Sequence, residues 1–217
     1  MIEEKRQSST DVQQELPDGW RWVRLGEVCE LNPRRPQLYR HADAPTTFVP
    51  MSGVEEDGHG ILRPDVRPFA EVKSGYTYFA EGDVLFAKIT PCMQNGKHAI
   101  AEDLIDGIGF GSTEFHVLRP KGTVTSEWIH RFILQPYILE AAKAHFTGAV
   151  GQQRVPGSYL EKLEIPLPPL PEQHRIAAIL AEQMAAVERA RVAAEAQLEV
   201  ISQLPEALLR RAFNGEL

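Results

Sequence analysis

The 217-residue chain has only two cysteines, Cys29 and Cys92. Two thiols so far apart make neither a disulfide framework nor a CxxC metal knuckle, and they read as reduced. Long apolar runs are also missing. No stretch of 18 apolar residues suggests a membrane span, and no apolar segment follows the charged N-terminus as a secretion signal would require, so the expected compartment is the cytoplasm. Positive charge is scarce: 23 Lys and Arg stand against 30 Asp and Glu, a net charge of -7. That excludes coating nucleic acid by bulk electrostatics but leaves room for a local basic face.

Catalytic signatures are equally thin. The histidines, His41, His59, His98, His116, His130, His145 and His174, include no pair at helical metal-ligand spacing. Gly107-Ile-Gly-Phe-Gly111 looks like a piece of a phosphate loop, but a strand pattern follows it where a helix is needed. Asp65 with Glu71-Val72-Lys73 imitates a metal-dependent nuclease; the gap is too short to set both acids on neighbouring strands around one metal. No Asn or Asp precedes a Pro-Pro-aromatic run, and no glycine loop opens a cofactor-binding βαβ unit, so the chain is not expected to methylate anything. The residues therefore predict no catalytic group, no metal and no cofactor.

What the chain does have is a long helix signal from Ile165 to Leu217. Pro168, Pro169 and Pro171 hold an extended lead-in, and Glu172 opens a first turn where a carboxylate suits the helix N-terminus. Thereafter Ala, Glu, Gln, Arg and Leu dominate, with no proline until Pro205. Leu180, Val187, Ala194, Ile201 and Leu208 share one position of a seven-residue register, and Ala177, Met184, Arg191 and Leu198 share the position three before it. This predicts a helix of roughly 30 residues, about 45 Å long, with dimerisation expected through Glu172 to Phe213. A helix of that length asks for a partner helix; packing along its own domain is the alternative.

Ahead of the helix, residues 1–15 read as a polar, unstructured tail and 16–164 as one domain. Trp20 to Leu25 alternates in strand fashion, and Thr46–Pro50 and Tyr76–Ala80 read as short strands. Val84 to Thr90 is a strand, Asn95-Gly96 a hairpin turn, and Lys97 to Ala101 the returning strand. Thr113 to Leu118 alternates again. Thr125 or Ser126 caps a helix bearing Trp128, Ile129, Phe132 and Ile133 on one face, which Pro136 ends or kinks, and a further helix spans Tyr137 to Phe146. Ser158 with Glu161 predicts a capping box. The fold class is α+β with hairpins, followed by a long C-terminal coiled-coil helix. Three polar loops remain: Asn32 to His41, Thr90 to Lys97, and Gln152-Gln153-Arg154. Their side chains suit base edges or phosphates, and equally suit solvent.

Several of these stretches together resemble the specificity subunit of type I restriction-modification systems. They are Trp20 to Cys29 (WRWVRLGEVC), Gly82 to Lys97 (GDVLFAKITPCMQNGK), Gly109 to Pro120 (GFGSTEFHVLRP), Thr147 to Pro156 (TGAVGQQRVP), Ile165 to Ala177 (IPLPPLPEQHRIA) and Arg211 to Leu217 (RAFNGEL). The resemblance runs from Leu16 to Leu217. It implies a target recognition domain that reads one half of a split double-stranded DNA site, and a helix that spaces it from a second such domain. It also implies no catalysis in the subunit itself, which guides a methyltransferase subunit and a restriction and translocase subunit. Family members carry two domains and two helices, whereas this chain has one of each and RAFNGEL resembles the end of a complete subunit. The expectation is therefore a half-size form that homodimerises by an antiparallel helix pair. DNA contacts are expected from Arg34, Arg35 and Arg40, from Lys88, Thr90, Gln94, Asn95 and Lys97 around the hairpin, and from Gln153 and Arg154. Dimer contacts are expected from Leu180, Met184, Val187, Ala194, Leu198, Ile201 and Leu208. Rival readings are a scaffold or inhibitor that holds a methyltransferase through the helix, and a nuclease resting on Glu71 and Lys73.

Overall fold

A computed structural model describes residues 15–58, 60–149 and 152–216. Up to residue 14 the tail expected over residues 1–15 lies outside them, as do His59, Val150, Gly151 and Leu217. The chain divides into two units, one ending at Gln173 and one running from His174.

Alternation at period two builds the first unit. In β6 (Val84–Ala87) every side chain is buried, because each face of the strand meets a different core. Val84 and Phe86 join Leu118, Ile129, Phe132, Ile133, Leu160 and Ile165. Leu85 and Ala87 join Val49, Phe79, Phe115 and Val117. The strand belongs to a four-stranded sheet ordered β2 (Cys29–Leu31), β9 (Phe115–Pro120), β6 and β7 (His98–Ile100). A second four-stranded sheet runs β4 (Asp65–Pro68), β3 (Pro45–Val49), β8 (Ile108–Gly111) and β5 (Thr77–Ala80). On this sheet Phe48 and Phe110 pack with Phe69 and Val72 from α2 (Phe69–Val72). A two-stranded ribbon pairs β1 (Arg21–Arg24) with β10 (Glu164–Leu167), tying the start of the unit to its end.

The hairpin signal holds: β6 and β7 pair antiparallel, and Gly96 in the turn has φ of 64°. The glycine run differs from its reading as a loop. Its residues form β8, which pairs parallel with β3 and antiparallel with β5. A Cβ on Gly109 would lie 2.3 Å from the Phe79 ring, and one on Gly111 would lie 2.5 Å from the Val49 carbonyl oxygen. These glycines make room for an aromatic ring, not for a phosphate. The stretch from Met51 to Gly75, between the two short strands read from the sequence, contains β4 and α2.

Four helices close the first core. α1 (Leu25–Val28) precedes β2, and α3 (Ser126–Ile133) begins at Thr125, whose hydroxyl accepts the Trp128 N–H at 3.1 Å. Such a cap is worth about 1 kcal/mol. Pro136 does not merely end α3; it starts α4 (Pro136–Lys143) at the first position, where its missing N–H costs nothing. The Ser158 capping box does not form. α5 (Gly157–Lys162) starts one residue earlier, after Pro156, with no side-chain cap.

α6 (Leu170–Phe213) runs for 44 residues, and Pro205 lies inside it. At 1.5 Å per residue that is about 66 Å, longer than the roughly 45 Å expected. The cost is one hydrogen bond: Pro205 has no N–H for the Ile201 carbonyl. In the first turn Gln173 is buried and donates to the carbonyls of Thr123 at 3.0 Å and Pro168 at 2.9 Å, while its oxygen accepts the Thr125 N–H at 2.9 Å. From residue 174 onward no described residue of the helix is fully buried: Ile176, Ala177 and Leu180 are partly buried, and Met184, Val187, Leu198, Ile201 and Leu208 are 48–69 % exposed. Val200, Leu204, Leu209 and Phe213 are exposed too, outside the expected seam. Arg191, the charge within that seam, is held by Glu188 at 2.6 Å and by Glu195, which raises its pKa.

Candidate nucleic-acid interface

Two of the three polar loops meet. The Thr90 N–H donates to the Gln153 carbonyl at 3.0 Å, the Val155 N–H donates to the Lys88 carbonyl at 2.9 Å, and Ile89 bridges Arg154. These main-chain bonds set residues 88–90 of the hairpin connection beside residues 153–155, where Thr147 and Arg154 also bond each other's backbone. On this surface lie Lys88, Thr90, Gln153 and Arg154, all partly exposed.

The hairpin tip has its own brace. Asp57 and Gly58 donate their N–H groups to the carbonyls of Asn95 and Gly96 at 2.9 and 3.0 Å. Asn95 Nδ2 donates to Glu56 Oε1 at 2.9 Å, and Lys97 Nζ to the Val54 carbonyl at 3.0 Å. Gln94 is exposed at the tip. Asn95 and Lys97 thus have partners inside the protein, although an ammonium that spends one N–H still has two to give.

The third loop touches this site only at its first residue, Asn32, and is anchored elsewhere beyond it. Arg40 pairs with Asp106 at 2.8 Å, donates to the Pro45 carbonyl at 2.9 Å, and has its guanidinium 5.9 Å from the Phe69 ring centroid. Its side chain is only 13 % exposed, so it holds the loop against the second sheet. Arg35 donates to the Lys73 carbonyl. Arg34 and Tyr39 are exposed.

Three residues at the heart of the interface were not singled out from the sequence as contact residues: Asn32, Glu114 and His116. Glu114 accepts two bonds from Arg154, Nε at 2.9 Å and Nη2 at 2.8 Å. Chiefly through those bonds the guanidinium holds the Glu114 carboxyl below its ordinary pKa, helped by Lys88. In turn Glu114 raises the pKa of Arg154. His116, two residues on, bonds the Val155 carbonyl through Nε2 at 2.9 Å. Asn32 Oδ1 accepts the Val117 N–H at 3.0 Å, which leaves its Nδ2 to donate to His116 Nδ1 at 3.1 Å. With that assignment Nε2 carries the proton and donates to the Val155 carbonyl, and Asn32 Oδ1 also lies 3.4 Å from Nδ1. Burial, above all, depresses the His116 pKa, and the Lys88 charge adds to it. Glu114 lies in the turn just before β9 and His116 inside the strand, on either side of the buried Phe115.

Elsewhere the chemistry is quiet. No group of His, Cys, Asp and Glu among the described residues is arranged to hold a metal ion. Asp65 pairs with Arg67 at 2.6 Å, away from any second acid partner for a cation. Burial pushes the Cys29 thiol up to about 12, which makes it unreactive. No described helix is long and apolar enough to cross a membrane.

Residues 17–196 match the type I restriction modification DNA specificity domain. The EcoEI type I restriction enzyme specificity subunit of Escherichia coli is 36 % identical over 206 residues, covering 93 % of this chain and 34 % of its own length. The EcoAI specificity subunit of the same organism is 36 % identical over 196 residues, covering 90 % of this chain and 33 % of its own. The chain thus spans about a third of the length of these relatives. Among solved structures, the HsdS subunit from Thermoanaerobacter tengcongensis aligns with a TM-score of 0.68 at 27 % identity, over 94 % of this chain and 50 % of that one. A chain from a structure of the complex assembly and conformational transition of the type I R-M system gives 0.68 at 28 % identity, over 95 % and 48 %. A mixed α+β unit followed by a long helix, with this match over most of its length, places the chain in the type I restriction-modification DNA specificity family.

Proposed function

We propose that this chain is a half-size, non-catalytic specificity subunit that works in the cytoplasm. It reads one half of a split DNA site and homodimerises through residues 172–213, so that two identical readers recognise a palindromic site with an unread spacer. The length of the paired helix fixes the spacer. The partner methyltransferase would flip the target adenine, which is unreachable in the stack, and a restriction and translocase subunit would join the same assembly. Gln94, Gln153 and Arg154 are the proposed readers, with Lys88, Thr90, Asn95 and Lys97 beside them and Arg34 and Arg35 on phosphate. Arg40 acts by holding its loop.

The observation that carries the dimer is the exposed row Met184, Val187, Leu198, Ile201 and Leu208. Finishing the burial of a half-exposed side chain of this size yields roughly 1 kcal/mol. Two copies would gain on the order of 10 kcal/mol, comparable to the cost of association, about 4–15 kcal/mol. This row therefore about offsets the cost of association, and a methyltransferase that binds the paired helices would supply the surplus. Methylome sequencing of cells expressing this chain with its methyltransferase tests the reading. A bipartite palindromic motif is expected; methylation without such a motif, or none that depends on this chain, refutes it.

A further inference from the structure

Arg154 spends three of its bonds inside the protein. Nε and Nη2 go to Glu114, and Nη1 donates to the Gln152 carbonyl at 2.9 Å. A guanidinium carries five N–H groups. One remains on Nη1 and one on Nη2, the two terminal nitrogens that form a fork. The side chain is 38 % exposed even while paired, so the fork is open to a partner from solution. Its base is immobile: Glu114 precedes β9, His116 clasps the neighbouring Val155, and the backbone of Arg154 bridges both Ile89 and Thr147.

An exposed ion pair adds little to stability. It does remove the freedom of a long side chain, and a guanidinium already aimed loses less on binding than a mobile one. We infer that Glu114 is a positioning residue that presents the Arg154 fork to a pair of acceptors on DNA, either the O6 and N7 edge of guanine or two oxygens of a phosphate. This rests on the DNA-reading function proposed above. Glu114 does not touch DNA; a carboxylate there would repel phosphate were its charge not matched by Arg154 and the nearby Lys88.

The test uses the full chain assembled with its methyltransferase, on a duplex carrying the methylated motif and on the same duplex with scrambled half-sites. If the wild-type assembly does not prefer the motif duplex, the function proposed above fails before any variant is compared. Given that preference, Glu114→Gln and Arg154→Lys should each weaken binding to the motif duplex on the order of tenfold. Exchanging the two residues, Glu114→Arg with Arg154→Glu, should leave the thermal midpoint close to wild type and should not restore the binding. Loss confined to the motif duplex, with one position of the methylated motif relaxed in each half, identifies the acceptor as a base. Equal loss on both duplexes identifies a phosphate. Binding recovered by the exchange would mean that the pair is structural and overturns the inference. Should the exchanged protein fail to fold, Glu114→Gln decides alone: motif affinity within twofold of wild type, or higher, overturns it.

Discussion

Gly109 has no side chain because the Phe79 ring occupies the place where one would sit. Replacing Gly109 with Ala should cost about 1–3 kcal/mol through forced displacement of that ring. A thermal midpoint unchanged by the substitution would refute this packing role. Single residues also set the acid limit of the fold. His98, His116 and His130 are held neutral, chiefly by burial, and the pKa of His98 falls to about 3. Their folded values lie below the ordinary 6.5, so the unfolded chain takes up protons first. The stability they contribute is complete above about pH 6.5 and drains as pH falls towards the folded values, at up to about 1.4 kcal/mol per pH unit for each histidine. Urea midpoints at pH 7.5 and pH 5.0 check this: the lower pH should give the lower midpoint, and equal midpoints contradict it. The sequence showed the glycines and histidines but not their roles. Phe79 and the buried carbonyl of His98 that His130 bonds at 3.1 Å are brought there by pairing between distant strands.

Among the elements, α6 was the most legible, since its register of seven is written in consecutive residues and needs no knowledge of the rest of the fold. Its length was not. The helix tolerates the one bond missing at Pro205 and continues to Phe213. Exchanging Val187 and Ile201 for Asp should give monomers by light scattering, because four carboxylates would then face one seam. A dimer that survives both substitutions excludes this face as the contact. The hairpin of β6 and β7 was equally plain from Asn95-Gly96. β8 was missed because glycines argue for loops, and only the neighbouring ring makes a strand of them.

For the whole molecule, the fold class and the family were readable, and the grouping of the site was not. Segments 88–97 and 147–155 are joined by main-chain bonds that leave no mark in the sequence, while the loop around Arg40, the most basic of the three, is pinned to Asp106. The assembled methyltransferase complex should contain two copies of this chain by native mass spectrometry; a single copy would break the proposed symmetry. The bonds that fix the proposed reading surface run from backbone to backbone, from Thr90 to Gln153, Val155 to Lys88, Asp57 to Asn95 and Gly58 to Gly96. Scaffold and lettering are thereby separate. Under the proposed function, exchanging the side chains at Gln94 and Gln153 should alter what is read while these backbone bonds keep the frame in place.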